Sequence, residues 1–398
     1  ALQAEDEAEW SRQFLTWLLQ SDERLSQHFY LIREAVRGLP LQDDSDLQQR
    51  IRAVSTDISD AYSPFLDLRV KIHGQPDSSD LIQVEQFRTR HAETVPPKVD
   101  TQLATLEDLL RRAYSLPPTE QIRAAAQELD TTTALAQRIQ TYLDETEGQD
   151  ALSFVSNSAS LLWALRMNLS SLPPEQRLAA LQVSIALEET ILRSAAGWAS
   201  TTLRGHTEKI YALAQAAAGA GLLEVWEWNH IKEPLRPPSE RRLSVSQLQT
   251  RIQRSRRVAD WGIRTVLSTY RPVVDTYEAF EPLAQGFLDD RIRGSILLSL
   301  GTAVGNLASA YAAETGTQNN IFGLTDGQRA HGLNPGVAVG ELVVVPGAAE
   351  SVSVSPEKIY VFRHPPSALR PVAGIATVTE GNLVSHIQLL ARNLAIPN

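Results

Sequence analysis

The amino-acid sequence predicts a mainly α-helical protein whose C-terminal end is a small region of mixed strand and helix. Apolar residues recur at helical spacing through most of residues 1–314, and strand-like alternation is almost absent there. Short β-branched runs, separated by turns rich in glycine and proline, follow after residue 333. We therefore expect an all-helical region over 1–314, a linker over 315–332 and a small domain over 333–398.

Composition sets broad limits on this chain of 398 residues. The length predicts two or more domains, and 43% hydrophobic with 21% charged residues is typical of a soluble globular protein. A formal charge of −10 argues against general nucleic-acid binding, and the lack of cysteine excludes disulfides and thiolate metal sites. No apolar run reaches the length of a membrane span, and Ala1 to Trp10 is too acidic for a secretory signal, although a signal could have been removed already. We expect a cytoplasmic protein.

The helical region contains three segments with clear helical spacing, Glu9 to Arg37, Leu103 to Tyr114 and Glu120 to Leu143. Two further helix starts are indicated where similar sequences, SLPPTEQ at Ser115 and SLPPEQR at Ser171, place proline in a first turn. We interpret them as independent helix starts rather than as a duplicated unit. We expect the region to divide internally, near Pro173 or near Pro234.

A basic helix is predicted after the breaker at Pro237 and Pro238. Ser244 and Gln247 can form a capping box, and the helix that follows carries Arg251, Arg254, Arg256, Arg257 and Arg264. Such a cluster could hold phosphate, a polyanionic carbohydrate or an acidic partner helix. In an acidic chain, a solvated or internally paired face is the simpler interpretation.

Two further features lie just before this helix. The small-residue run from Ala214 to Gly221 favours close helix packing, because it lacks the strand and the lysine of a nucleotide loop. Trp226 and Trp228 could stack on a sugar, although an aromatic anchor in a helical core is the commoner role. The histidines show no metal-ligand spacing, so we expect no metal site in this chain.

The end of the chain predicts a strand, a turn and a helix in direct succession. The run Gly374 to Val378 suits a buried strand, and the turn residues after it lead to Ser385, a candidate N-cap. His386 would then stand in the first helical turn, where free backbone N–H groups favour an anion such as a phosphoryl group. A neutral imidazole there can act as a nucleophile, and the simpler alternative is a polar residue near a helix cap.

Residues Gly381 to Pro397 resemble the phosphohistidine signature of the PEP-utilising enzymes, which include PEP synthase, pyruvate phosphate dikinase, the glucan water dikinases and Enzyme I of the sugar phosphotransferase system. The family pattern is Gly-Gly-x-Thr-Ser-His, an apolar helix with Ala-Arg, and a Gly-Ile-Pro-like ending. The matching residues are Gly381, Ser385, His386, Ala391, Arg392, Ile396 and Pro397. Upstream, residues 333–347 resemble the glycine-punctuated hairpin that opens the family's swivelling domain, and 358–377 resemble its next strand, helix start and strand.

The resemblance implies that His386 is the phosphoryl carrier of a phosphotransferase. Gly381, Ser385 and Arg392 would support the phosphate, although Arg392 lies six residues beyond His386 and a structural ion pair is its alternative role. Asn382 replaces the second glycine of the pattern and Val384 its threonine. The lost hydroxyl would weaken phosphoryl transfer, and a degenerate domain is the alternative.

The resemblance also implies partners outside this chain. No phosphate loop occurs in the sequence, so ATP and Mg²⁺ are expected at a separate nucleotide-binding domain, C-terminal to Asn398 in the complete protein, and the β/β/α swivelling domain is expected to be incomplete. The acceptor would be a small molecule, a glucan or a carrier protein. Two rival hypotheses are a non-catalytic helical scaffold with a degenerate histidine domain, and an Enzyme I-like relay that is charged from PEP.

Overall fold

A computed structural model describes most of the helical region and part of the C-terminal domain. The described residues are 4–38, 45–74, 79–92, 94–113, 118–146, 148–239, 243–281, 284, 286–315, 332–334, 336–346, 352–363, 369–378, 388, 391–392 and 394–398. The chain divides into two compact units, one of residues 1–147 with 164–190 and the other of 148–163 with 191–398.

The architecture is mainly α, as the sequence predicts. From residue 4 to residue 315 the described residues form sixteen α-helices and two 3₁₀ turns, Ser63–Phe65 and Leu169–Ser171, with no strand among them. The α-helices are α1 (Ala4–Leu18), α2 (Asp22–Gln27), α3 (Phe29–Arg37), α4 (Ser45–Ala61), α5 (Leu66–Gly74), α6 (Ser79–Arg90), α7 (Pro97–Ala113), α8 (Pro118–Ala126), α9 (Ala134–Glu145), α10 (Ala151–Asn168), α11 (Pro174–Gly197), α12 (Leu203–Gly219), α13 (Val225–Leu235), α14 (Val245–Glu278), α15 (Gly286–Arg293) and α16 (Ile296–Thr315).

Local chemistry explains where several helices begin. α8 and α11 start at Pro118 and Pro174, the two prolines that mark the predicted starts, because proline at the first helical position has no N–H to leave unsatisfied. The helical segments predicted from the pattern are interrupted at capping residues. Ser21 accepts a hydrogen bond from the Arg24 amide and begins α2, and Thr133 accepts one from the Ala136 amide and begins α9.

One apolar core of the first unit lies between α4, α5, α6 and α7. The fully buried side chains at its centre include Ile58, Phe65, Val84, Leu103 and Leu106. The buried residues of this cluster lie seven residues apart on α4, at Ile51 and Ile58, and three or four apart on α7, at Val99, Leu103, Leu106 and Leu110, so one face of each helix is buried. Helical periodicity is therefore the property of this sequence that forms the core.

In the second unit, α12 is enclosed by other helices. Ala214, Ala216, Ala217 and Ala218 are fully buried, and a Cβ atom added at Gly219 would lie 2.8 Å from backbone atoms of Leu162 and Trp163. The small-residue run therefore allows close helix packing, as predicted, because larger side chains would not fit.

The long helix α14 begins with the predicted capping box. The Ser244 side chain accepts from the Gln247 amide, and the Gln247 side chain accepts from the Ser244 amide. α16 is the one helix in the described part of the chain that is long and apolar enough to cross a membrane by length and composition. Its buried residues, Leu300 and Val304 among them, lie on a helix that contacts α12 and α14, an arrangement typical of a core helix.

Three strands form a small sheet after the helical region. They are β1 (Glu341–Val345), β2 (Lys358–Phe362) and β3 (Gly374–Thr377), in the order β1-β2-β3 and parallel throughout. The buried sheet face carries Val345, Tyr360, Phe362 and Ile375, which pack with Ala391 and Ile396. The strands at 358–362 and 374–377 agree with the sequence prediction.

The prediction of a hairpin over residues 333–347 is wrong. Among the described residues of that segment, β1 is the one strand, and it pairs in parallel with β2, which begins thirteen residues after β1 ends. Parallel pairing needs a crossover connection, so a tight turn within the segment could not supply the partner strand. The linker expected over 315–332 lies outside the described residues, apart from Thr315 and Gly332. A helix start was expected between the strands at 358–362 and 374–377; residues 369–373 are described and not helical, and residues 364–368 lie outside the described part of the chain.

Candidate functional site

Three of the four predicted site residues, Gly381, Ser385 and His386, lie outside the described residues, as do Asn382 and Val384. The fourth, Arg392, is described. The structure also describes the strand before Gly381 and several residues after His386, which are the neighbours of the candidate site on either side in the sequence.

β3 is the strand that precedes the signature in the sequence, and its first two residues are buried. Gly374 and Ile375 are buried, and the described backbone continues to Val378. Beyond the signature, Gln388, Ala391 and Arg392 are helical. Gln388 and Ala391 are buried while Arg392 is partly exposed. The strand at 374–377 therefore comes before the signature and the helical residues 388, 391 and 392 come after Ser385 and His386, which is the order that the sequence predicts.

The two ends of the C-terminal domain are joined to each other. The amides of Leu333 and Asn334 both donate to the carbonyl of Asn398, and the Asn398 amide donates back to Asn334 O at 3.1 Å. The buried Gln388 side chain connects the helix after the signature with both of these segments, because its Nε2 donates to Leu333 O at 2.9 Å and its Oε1 accepts from Asn398 Nδ2 at 3.1 Å. The helix after the signature is thereby fixed to the start of the domain.

The helix ends in a Schellman-type turn. Ala395 has a φ of 54°, and the amide of Ile396 donates to the carbonyl of Ala391 at 2.8 Å. This position usually holds glycine because a side chain in the left-handed region costs about 1–2 kcal/mol. The family pattern has its Gly-Ile-Pro-like ending here, and this chain keeps the turn with alanine. Pro397 then packs over Gly336, and its carbonyl accepts from the Ile375 amide.

Arg392 forms an ion pair with the helical region. Its Nη1 lies 2.8 Å from Oδ1 of Asp260 on α14, and both side chains are a little over one-third exposed. A structural ion pair was the alternative role expected for Arg392 because it lies six residues beyond His386, and this contact is such a pair. Exposed ion pairs of this kind contribute little to stability. Asp260 was not among the residues that the sequence pattern predicted for this site. The available signal was that Asp260 is the one acidic residue between Arg251 and Arg271.

The arginines of α14 divide into two groups. Arg251 is partly buried and donates to the carbonyls of Leu235 and Arg236 at the end of α13, and burial, with a smaller effect of Arg254, lowers its pKa. The others form no hydrogen bond or ion pair within the described part of the chain: Arg254, Arg256, Arg257, Arg264 and Arg271. Asp260 lies three residues after Arg257 and four before Arg264, so all three share one helix face.

The two candidate sugar-stacking tryptophans have different environments. Trp228 is buried and its ring packs near those of Trp163 and Tyr211, so it is a core anchor. Trp226 is 65% exposed, and its ring centroid lies 6.2 Å from that of Trp261 on α14. Trp261 is half-buried and follows Asp260 directly in the sequence, so one exposed and one half-buried indole are near the position on α14 that pairs with Arg392.

A buried lysine and histidine form a second polar group in this unit. Lys209 Nζ donates to the carbonyls of Ala195 and Trp198, where α11 ends, and burial lowers its pKa. Burial, followed by the charge of Lys209, also lowers the pKa of His206. Positive groups near a helix C-terminus satisfy its last carbonyls, so this group has a structural role. Among the described residues, no cluster of three or more histidine, aspartate and glutamate side chains could hold a metal ion.

Comparison with known proteins adds no relative to this picture. No family model, no curated protein and no solved structure matches the chain.

Proposed function

We propose that this chain is part of a dikinase-like phosphotransferase in which His386 carries a phosphoryl group. The observation that supports the proposal is the order of features at the end of the chain. A buried parallel strand is followed by Gly381, Ser385 and His386, then by the helical pair Ala391–Arg392, and then by Ile396–Pro397 after a left-handed turn. Each feature is individually common, and their occurrence in this order is what the phosphohistidine signature requires.

The proposed chemistry is transfer to and from an imidazole nitrogen. The neutral imidazole of His386 attacks the phosphorus of the donor, a nitrogen–phosphorus bond forms, and the phosphorus–oxygen bond to the donor's leaving group breaks with its electron pair on oxygen. The acceptor oxygen later attacks the same phosphorus and returns the electron pair to the imidazole. Catalysis of this kind depends on position and charge neutralisation, for which Gly381, Ser385 and Arg392 are the candidates.

The donor is ATP with Mg²⁺, or PEP, bound at a nucleotide- or PEP-binding domain outside this chain. The acceptor is a small molecule, a glucan or a carrier protein. We propose a cytoplasmic location for this enzyme. A helical scaffold with a degenerate histidine domain is the second candidate, and the observation that favours it is the loss of the threonine hydroxyl at Val384.

Phosphate labelling of the complete gene product tests the proposal. We expect ATP labelled at the β-phosphate to leave an acid-labile, base-stable adduct that is absent from His386→Asn and retained in His230→Asn, which removes an exposed histidine of α13. Label from PEP and not from ATP would identify the Enzyme I-like relay. No label from either donor, with binding of the donor measured independently, would contradict phosphoryl transfer and support the scaffold.

A further inference from the structure

The second unit contains a concentration of uncompensated positive charge. Residues 251–271 carry six arginines and one aspartate, so their formal charge is +5 in a chain of −10. The single aspartate, Asp260, is already paired with Arg392. Arg257 and Arg264 lie on the same face of α14 as Asp260, are exposed, and form no ion pair within the described residues. Arg257, Arg264 and the Arg392–Asp260 pair therefore share one face of α14.

We infer that Arg257, Arg264 and Arg392 form a binding site for a phosphate monoester, the "α14 phosphate site", in which Asp260, the carboxylate paired with Arg392, competes with the ligand. A dianionic phosphoryl group has three acceptor oxygens, and guanidinium groups bind such oxygens through charge-assisted hydrogen bonds. The residual charge of this cluster is +2, from three arginines and one aspartate, and a phosphate dianion neutralises it.

Phosphate fits this face better than an acidic partner helix does. A docked helix needs an apolar seam between its charged contacts. The exposed residues that flank the two arginines on this face, Gln253 and Ser268, are polar, and the half-buried Trp261 is the one apolar side chain between them on this face. The exposed indole of Trp226, with Trp261 beside Asp260, adds a surface on which the organic part of a phosphate ester can stack.

The phosphoryl group can come from two sources with the same chemistry. One is a free phosphate compound. The other is a phosphohistidine at His386, which lies six residues before Arg392 in the sequence, and this source rests on the proposed function. The test separates the two sources and does not depend on labelling by ATP or PEP.

Titration with inorganic phosphate, followed by calorimetry and ³¹P NMR, tests the free source. We expect binding that weakens with added salt and falls about tenfold or more in Arg257→Gln/Arg264→Gln, since charged hydrogen bonds are lost. Asp260→Asn removes a competing carboxylate and should tighten binding about two- to fivefold, the range set by one exposed ion pair. His230→Asn, which removes an exposed histidine of α13, should bind free phosphate as the unmodified protein does.

The matched control is Glu85→Gln. Glu85 pairs with Arg111 on the surface, 3.3 Å apart, so this substitution changes the charge by the same amount as Asp260→Asn at another exposed pair. Phosphate affinity should not change. An equal gain in Glu85→Gln and Asp260→Asn would show a general charge effect and overturn the α14 phosphate site.

Chemical phosphorylation tests the second source. Phosphoramidate transfers its phosphoryl group to imidazole, forming a nitrogen–phosphorus bond as its own breaks and ammonia leaves with the imidazole proton. If the α14 phosphate site accepts phosphohistidine, the adduct on His386 should be lost several-fold faster in Arg257→Gln/Arg264→Gln than in the unmodified protein. The inference is overturned if free phosphate does not bind and the adduct lifetime is the same in both proteins.

Discussion

At the level of single residues, the most demanding feature is a buried ionic network in the first unit. Arg33 is fully buried, and its guanidinium donates to Oγ and to the carbonyl of Ser184 at 2.8 and 3.0 Å. Its Nη1 lies 2.6 Å from Oε2 of Glu188, which also bonds to Arg37. Burial by itself raises the pKa of Glu188, but the charges of Arg33 and Arg37 outweigh burial and leave that pKa below its ordinary value. Glu188 is therefore ionised in the folded protein.

Replacing Glu188 by glutamine should destabilise the protein by about 3–5 kcal/mol, because the buried Arg33 would lose its partner at 2.6 Å and keep only Glu34, at 3.6 Å. The neighbouring Glu189 is 37% exposed and reaches Arg37 only at 3.7 Å, so Glu189→Gln should change the free energy of unfolding by about 0.5 kcal/mol or less. Urea unfolding of both variants measures the difference. Equal effects at the two positions would contradict a structural role for the buried network.

At the level of elements, α12 and α16 provide two glycines with opposite surroundings. A Cβ atom at Gly219 would meet the backbone of α10 at 2.8 Å, whereas a Cβ at Gly305 would meet nothing within 4 Å. Gly219→Ala should cost about 1–3 kcal/mol through overpacking. Gly305→Ala should stabilise the protein by about 0.5–1 kcal/mol, because alanine is the better helix former.

Thermal unfolding of the two glycine variants measures both effects with one type of substitution. Opposite signs are expected. A stabilising Gly219→Ala would mean that α10 and α12 move apart at little cost, and the interpretation of the small-residue run as close packing would then be wrong.

The sequence predicts elements that depend on local chemistry and misses those that depend on distant partners. The capping box at Ser244 and the helix starts at Pro118 and Pro174 were predictable, because the groups that form them lie within a few residues. The partner strand of β1 was not predictable in this way, because parallel pairing joins segments that are separated by a crossover connection.

The same distinction applies to the candidate site. The strand before the signature and the buried helical residues after it follow from local apolar patterns. The contact between Arg392 and Asp260 joins residues 132 positions apart, and no periodicity encodes such a pair. Trp226 and Trp228 are two residues apart on one helix, and the positions of other helices determine that one is exposed and the other buried. Helical spacing likewise does not reveal that Trp10 is 63% exposed.

For the whole molecule, the lowered pKa of His206 allows a prediction of how the free energy of unfolding changes between neutral and mildly acidic pH. Burial, followed by the nearby charge of Lys209, lowers its pKa below the ordinary value of 6.5. The unfolded chain therefore binds a proton at His206 at a higher pH than the folded protein does. By linkage, the free energy of unfolding falls as the pH drops below about 6.5 and stops falling on this account once the folded protein is also protonated.

Urea unfolding at pH 8 and at pH 5.5 measures this dependence. His206→Gln removes the titrating group, so the loss of stability between the two pH values should be smaller in this variant than in the unmodified protein. His230→Gln removes a histidine that is exposed on α13 and should keep the full loss. An identical loss in all three proteins would show that carboxylates alone cause the acid sensitivity. A smaller loss in His206→Gln alone would show that the buried His206–Lys209 pair, although it lies at the end of one helix, affects the stability of the folded chain near neutral pH.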